Sequence, residues 1–240
     1  MLFLMAAIGF CLGHAVYLVF DRFYTGERLD APIYQCSSCR KPIGPLGAVP
    51  YATLLVSKGR CPDCGERLSW RAVILPAGGA AMFAVSYLVF DEFGAGLLSG
   101  YFGLVFLTLT LTDLERHLLP NRIIYPSILL AIAFSWAWPH TSVLQIFVGG
   151  AVAIGLAALM FGFSLFFGRE AFGLGDVKMI VLIGFVVGFP AAIVAIFLGT
   201  LVAGLAAGLL VVTRIRTLRD YIPHGPFLAL GGVVAMFASA

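Results

Sequence analysis

Apolar residues fill this chain in long runs, separated by short polar breaks and by one longer polar segment. The runs predict helices over 1–20, 72–90, 94–112, 123–138, 143–167, 177–190, 191–212 and 224–240. An apolar run of about 18 residues or more is long enough to cross the roughly 30 Å of hydrocarbon in a bilayer. The pattern therefore predicts an all-α fold, a polytopic membrane helix bundle with about eight spans.

Composition supports this fold class. The chain is 61% hydrophobic and only 11% charged, and its mean hydropathy is +1.02. A water-soluble domain covers itself with more polar residues than this chain has. We therefore expect one compact membrane bundle. The run 1–20 is expected to be a retained helix, because a signal peptide carries its basic residues ahead of the apolar run, and here they begin at Arg22.

Lysine and arginine lie on one side of the predicted bundle. All 15 fall in 21–71, 113–122, 168–176 and 213–223 or at Lys178, and the opposite connections have none. Basic residues stay in the cytoplasm during insertion, so these segments are predicted to be cytoplasmic and both termini to lie outside. The net charge of +3 is no sign of nucleic-acid binding. We expect membrane lipid around the chain and no nucleic acid.

The polar segment 21–71 contains Cys36-Ser-Ser-Cys39 and Cys61-Pro-Asp-Cys64. Two CxxC pairs offer four thiolates to a tetrahedral Zn²⁺. The cytoplasm disfavours disulfides, and a segment this polar has little core of its own, so a metal could supply folding free energy. Because four sulfurs leave no position for water, a structural zinc is favoured over a catalytic one. Gly65 predicts a tight turn with positive φ after the second pair.

Two aspartates are candidates for chemistry. Four acidic residues lie beside spans on the basic side: Asp113, Glu115, Glu170 and Asp176. In the simpler interpretation the aspartates cap helices, and Asp176 would suit an N-cap. However, both lie at a similar depth on one face, where ionisable groups are costly and often functional. Two such carboxyls sharing a proton could activate water and polarise a peptide carbonyl, which is chemistry for peptide hydrolysis.

Neighbouring residues leave alternatives open. His117 comes four residues after the first aspartate, where it could tune the pair or be a solvated loop histidine. Lys178 comes two residues after the second, where it could favour that carboxylate's ionised form or anchor at the interface. Glycines in the fifth and seventh spans predict close helix packing, including Gly204 and Gly208.

Five motifs in order resemble the bacterial type IV prepilin peptidases, or leader peptidase/N-methyltransferases. They are Gly9-Phe-Cys-Leu-Gly-His-Ala-Val16, the double CxxC with Gly65-Glu-Arg-Leu-Ser-Trp-Arg71, Asp113-Leu-Glu-Arg-His-Leu-Leu-Pro120, the GxGD stretch Glu170-Ala-Phe-Gly-Leu-Gly-Asp-Val-Lys178, and Ile222-Pro-His-Gly-Pro-Phe-Leu228. The resemblance implies that Asp113 and Asp176 are catalytic and that Cys36, Cys39, Cys61 and Cys64 bind zinc. It implies an aspartic endopeptidase of the bacterial inner membrane. This enzyme would remove the leader of a prepilin or pseudopilin at the cytoplasmic face and methylate the new N-terminus with S-adenosylmethionine.

Two positions depart from the family pattern. Asn121 stands where the family commonly has a second aspartate after the proline. Pro76 stands where many members have a glutamate that the family associates with methyl transfer. The resemblance therefore implies a peptidase with both of its aspartates, and a methyltransferase without that glutamate. It assigns no residues to the binding of S-adenosylmethionine.

The expected organisation is a first transmembrane helix over 1–20, a cytoplasmic zinc-knuckle domain over 21–71, and a transmembrane helical peptidase core over 72–240. The alternative is a protein of another class, a non-enzymatic membrane scaffold. Its zinc knuckle would dock a partner, and its aspartates would only cap helices. A transporter is disfavoured, because the predicted spans contain almost no ionisable residues near mid-membrane.

Overall fold

The computed structural model describes residues 1–25, 70–138, 141–166, 173–215 and 223–239, together with positions 36, 39, 41, 59–61, 63–67 and 217. Its helices are α1 (Leu2–Thr25), α2 (Arg71–Phe90), α3 (Phe93–Arg116), α4 (Asn121–Ala133), α5 (Val143–Phe166), α6 (Leu174–Val187), α7 (Ala191–Val212) and α8 (Gly225–Ala238). One 3₁₀ turn, Ser135–Ala137, follows α4. Glu170, Ile222 and most of 21–71 lie outside the described residues. In the described part no strand forms, so the all-α prediction is confirmed.

Five helices are long and apolar enough to cross a membrane on their own: α1, α2, α3, α5 and α7. The other three contain 13 or 14 residues. Most of α6 is buried against α4, α5, α7 and α8, so it need not match the hydrocarbon thickness with its own length. The protein is a polytopic helix bundle, as predicted.

Several predicted helix ends are wrong: α1 continues past residue 20 to Thr25, α4 ends at Ala133 rather than at 138, and two further errors concern the aspartates. The helix α3 continues through Asp113 to Arg116, although its apolar run ends at residue 112, because Asp113 is itself buried in the bundle. Gly173 is the N-cap of α6, so Asp176 is the third residue of that helix and not its cap. Each aspartate therefore projects from the end of a helix rather than from a loop.

Glycines let some helix pairs approach closely. A Cβ added to Gly149 of α5 would lie 2.7 Å from the carbonyl oxygen of Gly184 in α6, so the two backbones meet directly. The prediction of close packing is confirmed for Gly149. Within the described part of the chain it is not seen for Gly204 and Gly208, which lie on the exposed face of α7 with no described atom within 4 Å of an added Cβ.

The helix α8 fills the space between α3 and α6 at the centre of the bundle. A Cβ on Gly232 of α8 would lie 3.1 Å from Phe106 of α3 and 3.2 Å from Ile183 of α6. Both of these side chains are fully buried, and such contacts hold membrane helices together largely by van der Waals packing. By contacting both helices, α8 brings the C-terminal end of α3 and the N-terminal end of α6 to the same end of the bundle.

Candidate active site

Asp113 is held in the last turn of α3 by the first residue of α8. The backbone N–H of Gly225 donates to Asp113 Oδ2 at an N···O distance of 2.9 Å. The first N–H groups of a helix have no partner within it and carry partial positive charge, so this contact stabilises a carboxylate. A Cβ on Gly225 would lie 2.6 Å from the same oxygen. Gly225 therefore supplies the donor and leaves the space that Asp113 occupies.

Asp176 lies in the first turn of α6, where the helix dipole also favours negative charge. The N–H of Gly173 points at Asp176 Oδ2, with N and O 3.4 Å apart. On the other side, Leu119 packs against Gly175, where a Cβ would lie 3.2 Å from the leucine Cδ1. The turn between α3 and α4 therefore packs directly against the GxGD turn, residues 173–176.

The two aspartates lie within electrostatic range of each other and are 2% and 4% exposed. Two nearby carboxylates in such a dry setting repel each other, so the state in which both are ionised is disfavoured. His117, which ends α3 with a φ of 54°, also lies within electrostatic range of Asp113. The geometry brings together the two side chains that the sequence singled out.

Lys178 makes two contacts that the sequence did not predict. Its ammonium donates to the Asn121 side-chain oxygen at 2.8 Å and lies 5.6 Å from the centroid of the Tyr125 ring. Both contacts reach across to α4, and the second is within cation–π distance. Lys178 therefore ties the first turn of α6 to the first turns of α4.

The four cysteines of the two CxxC pairs form a cluster. Their sulfurs all lie within 4.8 Å of one another, with Cys36 and Cys64 at 3.4 Å and Cys39 and Cys61 at 3.9 Å. Tetrahedral Zn²⁺ with Zn–S bonds of about 2.3 Å would hold its sulfurs about 3.8 Å apart. The cluster therefore fits a metal such as zinc.

The two CxxC pairs have the same local geometry. The N–H of Cys36 donates to the Lys41 carbonyl at 3.0 Å, and that of Cys61 to the Glu66 carbonyl at 2.7 Å. Each chain segment thus turns back around its first cysteine. Gly65 has a φ of +73°, a backbone conformation that favours glycine, as predicted.

Backbone donors also favour the thiolate. The N–H groups of Cys64 and Asp63 donate to the Cys61 sulfur and lower the pKa of its thiol to about 7. A thiol with such a pKa binds metal readily near neutral pH, because the thiolate is the ligand. Lys41 joins the two pairs through a 2.9 Å ion pair with Asp63, which is exposed and contributes little to stability.

Two contacts of the site were missed from the sequence. The motif containing Gly225 was noted, but nothing in its pattern indicated that its backbone would meet Asp113, 112 residues earlier. Glu115 was noted as an acidic residue beside a span, yet its partner Arg71 lies 44 residues away. Pairs of opposite charge at the predicted cytoplasmic ends of neighbouring spans were the available signal.

Two family models match the chain. The type IV leader peptidase family matches residues 100–209, and the bacterial peptidase A24 N-terminal domain matches residues 7–90. Together these matches cover most of the sequence. The chain belongs to the type IV leader peptidase family. Asp113 and Asp176 lie within the first match and the four clustered cysteines within the second, so the resemblance inferred from the five motifs is confirmed.

Relatives in this family match along most of their length. The prepilin leader peptidase/N-methyltransferase of Bacillus subtilis (strain 168) is 27% identical, over 98% of this chain and 93% of the relative. That of Pseudomonas putida is 28% identical, over 88% and 74%. The type 4 prepilin-like proteins leader peptide-processing enzyme of Escherichia coli O78:H11 is 27% identical, over 88% and 78%. No solved structure gave a significant match.

Proposed function

We propose that this protein is a membrane aspartic endopeptidase that removes the leader peptide from type IV prepilins or pseudopilins. The observation that carries the proposal is the pair of buried aspartates within electrostatic range at one end of the bundle, in a chain of a peptidase family. The names of the relatives supply the substrate class.

In the proposed mechanism the two aspartates have different roles. Asp113 accepts the shorter of the two backbone hydrogen bonds, 2.9 Å from Gly225 against 3.4 Å from Gly173 to Asp176, so we assign it as the carboxylate that takes a proton from the attacking water. Asp176 keeps the shared proton and donates a hydrogen bond to the peptide carbonyl, which makes the carbon more electrophilic.

Hydrolysis then needs no covalent intermediate. The water oxygen bonds to the carbonyl carbon, and the tetrahedral intermediate collapses with cleavage of the C–N bond. The proton held on Asp113 passes to the leaving nitrogen, which restores the starting charges. The burial of both side chains strengthens each of these electrostatic interactions, because little water competes for them.

We further propose that the site faces the cytoplasm. Arg71, Arg116, Arg122 and Lys178 lie at the helix ends around the aspartates, and basic residues remain on the cytoplasmic side of the bacterial inner membrane. The proposed organisation is the first helix over 1–20, the zinc-knuckle domain over 21–71 and the peptidase core over 72–240.

Activity and sidedness can be tested together with membrane vesicles. A synthetic prepilin segment spanning the leader junction is added to vesicles carrying the protein, and the products are identified by mass spectrometry. We expect cleavage in inverted vesicles and none in right-side-out vesicles, with no added S-adenosylmethionine, because acid–base hydrolysis needs no cofactor. Absence of cleavage in both preparations, and in detergent, would contradict the proposal.

Zinc is proposed as a structural ion held by Cys36, Cys39, Cys61 and Cys64. We expect one zinc per chain by elemental analysis of the purified protein. Replacing Cys36 and Cys61 together by serine leaves only two thiolates, so metal should be lost and the polar segment destabilised. Cys11, which lies in α1, is the matched control, and Cys11→Ser should keep the metal. Full zinc content in the double variant would contradict the four-thiolate site.

Methyl transfer is the second activity in the relatives' names. The position of the glutamate that the family associates with it is taken here by Pro76, a buried residue inside α2. Labelled S-adenosylmethionine added to the cleavage assay measures this activity directly. Label on the new N-terminus would support a methyl-transfer site without that glutamate, and cleaved product without label would restrict the chain to the peptidase reaction.

A further inference from the structure

A partly buried ion pair connects the start of α2 to the end of α3. Arg71 Nε donates to Glu115 Oε1 at 2.6 Å, and a second guanidinium nitrogen contacts Oε2. The two side chains are only 16% and 13% exposed. Water and salt therefore screen this pair less than the exposed pair between Lys41 and Asp63.

Glu115 stabilises Arg71 in its position. Arg71 is the first residue of α2, where the positive end of the helix dipole repels a cation. The carboxylate of Glu115 places a negative charge beside this partly buried guanidinium, so removing Glu115 weakens the electrostatic support of Arg71. The pair is therefore expected to persist as long as the start of α2 keeps its position.

Each residue links a different part of the protein. Arg71 comes seven residues after Cys64, so the metal-binding cluster leads almost directly into it. Glu115 comes two residues after Asp113 in α3, and residues two apart in a helix point about 200° apart. Glu115 thus faces α2 while Asp113 faces α8. The end of α3 is held from one side by Arg71 and from the other by Gly225.

We propose that the Arg71–Glu115 ion pair is the contact through which the zinc-binding segment positions Asp113. The inference rests on the proposed peptidase function and on the proposed zinc site. Zinc would hold the segment that leads into α2, and Arg71 is the first residue of that helix. Through its ion pair with Glu115, Arg71 then holds the last turn of α3 in place. Arg71 and Glu115 are positioning residues, since neither touches the carboxyl group of Asp113 in this arrangement.

Kinetics of ion-pair variants test the positioning role. Arg71→Met and Glu115→Gln are expected to lower kcat for leader cleavage about 10- to 100-fold with KM nearly unchanged, because small displacements of catalytic groups reduce rates by such factors. The swapped double variant Arg71→Glu/Glu115→Arg should recover most of the rate, since each new charge also suits the dipole of its own helix end. Glu92→Gln makes the same change as Glu115→Gln at the exposed opposite end of α3, so it is the control and should retain the wild-type kcat.

Hydrogen–deuterium exchange tests the link to zinc without any activity. In the wild type and in Glu92→Gln, removing zinc with a chelator should raise deuterium uptake over residues 114–120. In Arg71→Met, uptake there should already be high, and zinc removal should add little. Unchanged uptake in the wild type after zinc removal overturns the inference, and so does a folded swapped variant that stays as slow as the single variants. Should the wild type show the uptake pattern but no cleavage, the proposed function fails and the coupling stands.

Discussion

Replacing either Asp113 or Asp176 by asparagine is expected to abolish leader cleavage, lowering kcat by at least about 10³-fold. Removing a group that transfers a proton in the transition state typically loses a factor of 10² to 10⁴. Here the loss should lie toward the upper end, because each asparagine also removes the proton that the pair shares. The double variant should be no slower than either single variant, since the two groups act as one unit.

Asparagine has nearly the same shape as aspartate, so both variants should fold. Asp91→Asn is the matched control, because Asp91 is exposed at the opposite end of the bundle and its left-handed conformation suits asparagine. Cleavage by quantified, folded protein in detergent is the measurement. Wild-type rates in both site variants would support the scaffold alternative, in which the aspartates only cap helices.

The positions of the helices could be predicted from the sequence because each apolar run is long and polar residues interrupt the runs sharply. The start of α5 at Val143 and both ends of α7 agree with the prediction to the residue. Among the ends that failed are those of α3 and α6 near the site. There the helix contains a buried aspartate, which hydropathy alone assigns to the adjoining loop.

The candidate site was predictable in its residue types but not in its contacts. The CxxC spacing indicates a metal site because four thiolates in two short turns have few other uses in a reducing compartment. The contact between Gly225 and Asp113 depends on how α8 packs between α3 and α6. Periodicity gives the faces of single helices, and it does not say which helix ends meet.

The glycines illustrate the same limit. Gly204 and Gly208 have the spacing typical of tightly packed membrane helices, yet both lie on an exposed face of α7. Gly225 has no such spacing, and its missing side chain is what allows Asp113 to reach the start of α8. The requirement for glycine at position 225 therefore comes from a tertiary contact.

Gly225→Ala is expected to lower kcat for leader cleavage about 10²-fold without lowering stability. The added Cβ would lie 2.6 Å from Asp113 Oδ2, closer than two such atoms can approach, so the carboxylate must rotate or α8 must shift. Either movement lengthens the hydrogen bond from the residue 225 N–H and misplaces the proposed base. Alanine also stabilises a helix relative to glycine by roughly 0.5–1 kcal/mol, so the melting temperature should not fall through loss of helix propensity.

Gly204→Ala separates this effect from a general response to alanine in a helix. Among the described residues no atom lies within 4 Å of a Cβ at position 204, so the variant should gain the helix propensity and keep the wild-type kcat and KM. In Gly225→Ala, kcat should fall while KM stays nearly constant, because the change moves a reacting group and leaves the rest of the bound peptide in place. A folded Gly225→Ala protein with the wild-type kcat would show that Asp113 does not depend on this contact, and the assignment of Asp113 as the base would lose its structural support.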